Sequence, residues 1–78
     1  VALIPLPEVI RQSGLSRSSV YHYIDEGLFP RPVKIGERAV AWISSEIAAV
    51  NEARIAGKSR EELKSLVSKL QIARQGCA

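Results

Sequence analysis

LPEVIRQSGLSRSSVYHYIDEG, residues 6–27, reads as two short helices hinged on a Gly-Leu-Ser turn. Pro7 opens the first, because a proline at the start of a helix forfeits no hydrogen bond and its φ is already preset. Leu6, Val9 and Ile10 then form one apolar stripe at helical spacing, while Glu8, Arg11 and Gln12 face away. Gly14 closes this helix, since glycine enters the left-handed cap at little steric cost. Ser16 can restart a helix by accepting a hydrogen bond from the amide of Ser18 or Ser19. In the second helix Val20, Tyr23 and Ile24 share the inward face, and Ser18, His22 and Asp25 centre the outward one with Arg17 and Tyr21 at its border. Gly27 ends it. Two helices meeting at such a corner are the arrangement with which proteins push a helix into a DNA groove.

Beyond Gly27 the period changes. Pro30 and Pro32 forbid helix, and Val33 to Ile35 and Ala39 to Trp42 flank the turn Gly36-Glu37-Arg38, which predicts a β-hairpin. Strands this short need support from the helices, and Trp42 is the expected anchor. Ser44 or Ser45 is expected to cap a third helix running to about Ala56, with Ile47, Val50 and Ile55 inward and Glu46 favoured at its positive end. Ser59 followed by Glu62 is a capping box that opens a fourth helix, with Leu63, Leu66, Val67 and Leu70 along one stripe and Lys69 and Arg74 towards its C-terminal end. The fold class expected is mainly α with a small β-hairpin: a winged helix-turn-helix over residues 1–57 and an amphipathic helix over 58–78. That stripe either folds back on the domain or pairs with a second copy. The homodimer contact is the preferred expectation.

Composition bounds the function. With 78 residues and 46% apolar side chains, the chain is one small domain with a single modest core. The lone Cys77 cannot form an internal bridge and reads as a free tail thiol. No apolar run approaches the ~20 residues of a membrane span, and the opening VALIPLP lacks the basic start and the length of a signal peptide, so a cytoplasmic protein is expected. The chain opens on Val1 rather than methionine, so a few residues are expected to precede it. A net charge of +3 is compatible with a polyanion but does not single one out. None of the five glycines forms a phosphate-cradling loop, and no nucleophile has an activating neighbour. Catalysis, a metal and a cofactor are therefore not expected. His22, the single histidine, has no cysteine pair or clustered carboxylates to complete a ligand set.

LPEV at 6–9, GLSRSSVY at 14–21, GLFPRPVKIG at 27–36 and RAVAW at 38–42 resemble prophage regulators of the AlpA type, a family within the winged-helix, MerR-like and excisionase-like DNA-binding domains. The likeness spans residues 3 to about 50. It implies a transcriptional regulator of integrated phage genes, often an integrase gene, or an excisionase that assists an integrase partner. It also implies that Ser16 to Ile24 form the major-groove helix, with Arg17, Ser18, Ser19, Tyr21 and His22 nearest double-stranded DNA, and that Lys34 to Arg38 form the wing. The chain departs from the family pattern where it carries His22, a position commonly basic, where it has Asp25 in a region that often holds another basic residue, and where Glu37 places an acid at the wing tip.

Residue chemistry weighs each site. Arg17 can bond guanine bidentately or clamp a phosphate, and its ordinary alternative is a solvated arginine. Ser16, Ser18 and Ser19 can contact DNA or simply cap the helix, and for Ser19 the two readings are even. Tyr21 can bond a phosphate while its ring seals the core edge, and His22 can reach a base edge or a phosphate. Arg31, Lys34 and Arg38 cluster around the hairpin, where a basic tip can track the backbone or enter the minor groove. The function expected first is a sequence-specific DNA-binding regulator, then an excisionase, then a protein-interaction module that keeps the shape without binding DNA.

Overall fold

A computed structural model describes residues 2–76 and orders them as β1 (Leu3–Ile4), α1 (Leu6–Ser13), α2 (Arg17–Asp25), β2 (Val33–Lys34), β3 (Val40–Ile43), α3 (Ser44–Ile55) and α4 (Arg60–Gly76). The mainly helical winged helix-turn-helix stands as expected. Each boundary has a local cause. The Pro5 carbonyl accepts the amides of Glu8 and Val9, both at 3.1 Å, and so starts α1. Gly14 ends it at φ +73°, donating to Ile10 O at 3.0 Å, and the Ser16 hydroxyl accepts the Ser19 amide at 3.2 Å to start α2. The α1–α2 corner is further tied to α3. Asn51 Nδ2 donates to Gln12 O at 3.1 Å and Arg54 Nη1 to Ser13 O at 3.4 Å, filling two carbonyls that a helix end leaves without partners.

The hairpin pairs Val33 with Ala41 and Lys34 with Val40, and Ile35 N–H donates to Ala39 O at 3.0 Å across the bends at 36–38. The sheet has one strand more than the sequence reading foresaw. Leu3 and Ile4 pair antiparallel with Ile43 and Trp42, so β3 is the central strand in the order β1-β3-β2. A two-residue strand ahead of a proline has no periodicity to reveal it. Its partner lies far along the chain.

Val9, Val20, Phe29, Trp42, Ile47, Val50 and Val67 form the core, and Ile4, Leu6, Ile10, Leu15, Tyr23, Ile24, Leu66 and Leu70 pack around it. Trp42 is wholly buried, and its indole N–H donates to Pro30 O at 3.0 Å, which fastens the loop entering the wing. Phe29, beside the two prolines, is as much a core residue as Trp42.

Several expectations about the C-terminal half are corrected. Neither Ser44 nor Ser45 caps α3: the N-cap position is Ile43, with no side-chain cap, and Ser44 Oγ instead accepts the Ala2 amide at 3.0 Å. Ile55 does not face inward but is 87% exposed, because five residues beyond Val50 it stands about 140° around the helix from it. The capping box of α4 forms in both directions, Glu62 N–H to Ser59 Oγ at 3.2 Å and Ser59 N–H to Glu62 Oε1 at 3.3 Å. The stripe of α4 takes the intramolecular alternative. Val67 is 2% exposed and Leu66 and Leu70 lie against the core, so a homodimer seam through Leu63, Leu66, Val67 and Leu70 would have to break contacts the chain makes with itself. Glu46 and Arg74, expected to answer the dipoles of their separate helices, answer each other. Glu46 is buried and receives Arg74 Nε at 2.7 Å and Arg74 Nη2 in a bidentate pair. Removing a carboxylate from water is tolerable only with such a partner.

Candidate nucleic-acid interface

The inward anchor of α2 is Val20, fully buried, with Tyr23 and Ile24 half-buried beside it. At 100° per residue this leaves Arg17, Ser18, Tyr21, His22 and Asp25 exposed on the outward side, as the periodicity predicts. Ser16 is also exposed, but its hydroxyl is occupied at the cap, accepting from the Ser19 amide and donating to Ser19 Oγ at 3.0 Å. Ser19 thus meets the cap through its amide and its hydroxyl, and the capping side chain itself is that of Ser16. Tyr21 is 40% exposed and sets its ring edge-on to Trp42, with centroids 6.4 Å apart and planes at 64°. The ring therefore packs at the edge of the core while the residue stays partly in solvent.

His22 is less free than its position suggests. Its Nε2 lies 3.1 Å from Glu26 Oε1, and the other oxygen of that carboxylate accepts Arg60 Nη2 at 2.6 Å. No i, i+4 reading from His22 finds Arg60, which comes from α4.

The wing presents Lys34 and Arg38, both exposed, and Arg31 stands exposed at its root. Sequence reasoning passed over two apolar residues on the same hairpin, Ile35 at 53% and Val40 at 42% exposure. For Val40 the signal was the alternation itself, which puts it on the face opposite the buried Ala41; Ile35 shares the Ala41 face but lies one residue beyond the end of β2. Among the described residues Arg11, Lys58, Arg60 and Arg74 each hold a carboxylate, whereas the candidates Arg17, Arg31, Lys34 and Arg38 hold none, as do Arg54, Lys64 and Lys69 elsewhere on the surface.

A groove of about 270 Å³ between α2, α3 and α4, lined by Leu15, Tyr23, Leu28, Phe29, Arg54, Arg60 and Leu63, includes none of the candidates. Among the described residues no three of His, Cys, Asp and Glu gather as a metal-ligand set, and no helix is long and apolar enough to cross a membrane. Cys77 lies outside the described residues.

The family model of the prophage CP4-57 regulatory protein (AlpA) matches residues 2–54, from β1 through the helix-turn-helix and wing to α3. The chain belongs to the AlpA family. Similar relatives include a protein of Enterobacteria phage P4 described as uncharacterized protein ORF88, 47% identical over 55 residues. That match covers 70% of this chain and 62% of the phage protein, so the chain spans less than two thirds of that relative. A second relative is the DNA-binding transcriptional activator AlpA of Escherichia coli, 30% identical over 53 residues in a match that covers 60% of this chain and 76% of that protein. The AlpA match ends before α4, so the Glu46–Arg74 pair joins a family element to a helix outside the match.

Proposed function

We propose that this AlpA-family chain is a sequence-specific DNA-binding regulator of prophage or integrated-element genes, acting in the cytoplasm. In this reading α2 lies in the major groove and the hairpin lies on the backbone or in the minor groove. The observation that carries it is the placement of four exposed cations without carboxylate partners, Arg17 on α2 and Arg31, Lys34 and Arg38 at the wing, around a helix face of small hydrogen-bonding groups. Leaving cations without carboxylates suits a surface that meets phosphates. The relative described as a DNA-binding transcriptional activator supports the same reading.

Binding to duplexes selected from a random pool tests it. The logarithm of the affinity should fall against the logarithm of salt with a slope of about 0.9 per phosphate neutralised. Arg17→Ala should cost about 1–3 kcal/mol and relax the sequence preference, whereas Lys34→Ala or Arg38→Ala should weaken all duplexes alike and lower the slope by about 1. If no duplex binds and a protein partner does, the chain is an interaction module. Recovered sites that map only to attachment sites, never to promoters, would replace regulation with an excisionase role.

A further inference from the structure

Arg31 opens the wing and is held by its backbone from α4. Its N–H donates to Gln71 Oε1 at 3.0 Å, and its carbonyl accepts Arg74 Nη2 at 2.6 Å. Arg74 is in turn fixed by the buried Glu46 of α3, which receives both its Nε and its Nη2. On the other side of the same short segment, Pro30 O accepts the indole of Trp42. The root of the hairpin, between Pro30 and β2, is thus clamped on consecutive peptide groups, from the core by Trp42 and from α4 by Gln71 and Arg74. A two-residue strand such as β2 has little stiffness of its own, so the direction in which Lys34 and Arg38 project follows from how this root is held.

We propose that α4 is a positioning element for the wing, with Gln71 and Arg74 as the residues that set its angle on DNA. The inference rests on the DNA-binding reading and adds a role for a helix outside the family match. A guanidinium that serves a buried carboxylate and a backbone carbonyl at once links the packing of α4 to the aim of the hairpin. Holding a contact surface in its bound geometry lowers the ordering cost of binding.

Arg74 cannot be removed without stranding Glu46, so the variant that isolates the effect is Gln71→Met, which keeps side-chain length and takes away the acceptor. Hydrogen exchange of the Arg31 amide in the free protein reads the clamp, the urea midpoint checks the fold, and affinity for the selected duplex reads the consequence. The Arg31 amide should exchange faster with the midpoint nearly unchanged, and affinity should fall about three- to tenfold, the worth of one positioning hydrogen bond. In a Lys34→Ala/Arg38→Ala background the same substitution should cost less than about twofold, because the wing no longer contributes. Gln71→Glu, which restores an acceptor, should restore Arg31 protection. An unchanged Arg31 amide, an unchanged affinity, or an equal loss without the wing cations would each overturn the proposal. If the unsubstituted chain binds no duplex, the DNA-binding reading fails first and this one with it. If it binds and Gln71→Met binds equally well, this proposal alone fails.

Discussion

Trp42 does three things with one side chain. Its rings fill the centre of the core, its indole N–H holds Pro30 O, and its edge supports Tyr21 on the outward face of α2. Its burial was readable from the sequence, because a chain of this size needs its one tryptophan inside. The bond to Pro30 was not, since nothing local marks which carbonyl an indole will find. Trp42→Phe should lower stability by about 2 kcal/mol through a lost hydrogen bond and an unfilled volume, measured by urea unfolding followed by circular dichroism. A loss well below about 1 kcal/mol would mean that water replaces the indole at Pro30. Glu46 shows the opposite case: an acid at the first turn of a helix normally signals a solvated dipole partner. Its burial depends on Arg74, a residue no neighbour of Glu46 announces.

Among the elements, α4 was legible in its start and its stripe. The Ser59–Glu62 box forms as written, and the Glu62 carboxyl is held below the usual carboxylate range, first by the Ser59 amide, then by the Ser59 side chain and by Lys58. A carboxyl whose folded pKa is depressed stabilises the fold above its unfolded value and loses that contribution as pH falls through the folded value. Comparing urea midpoints of the unsubstituted chain and Glu62→Gln from about pH 6 to about pH 3 should show a gap at the upper end that closes towards the lower. A gap that stays constant would assign the effect to side-chain shape rather than charge. What the stripe could not specify was its partner. An apolar stripe fits any complementary face equally well, and the covering surface on the core exists only once the domain has folded. The hairpin was legible from its prolines and turn, while β1 was not, because two extended residues carry no pattern.

Over the whole molecule, the net charge of +3 is carried by the last helix and its approach: Lys58, Arg60, Lys64, Lys69 and Arg74 stand there against Glu61 and Glu62. The same segment supplies Val67 to the core and Arg74 to Glu46. A chain ending at Gly57 should therefore lose a core side chain and leave a buried carboxylate unpaired, a cost on the order of 3–5 kcal/mol against a typical total of ~5–15. Its thermal melt, followed by circular dichroism beside that of the whole chain, should come at a much lower temperature or lose cooperativity. A sharp melt at the same temperature would show that residues 1–57 stand alone.

The helix-turn-helix corner, the outward face of α2, the hairpin and the capping box were determined by the sequence itself, because each rests on glycines, prolines, serines and spacings that act within a turn or two of the chain. The third strand, the burial of Glu46, the hold of Arg60 on the Glu26 beside His22, and the clamp from α4 onto the wing root were decided only by the tertiary structure. Each joins residues from distant parts of the chain, and a hydrogen bond or ion pair leaves no local pattern at either of its ends.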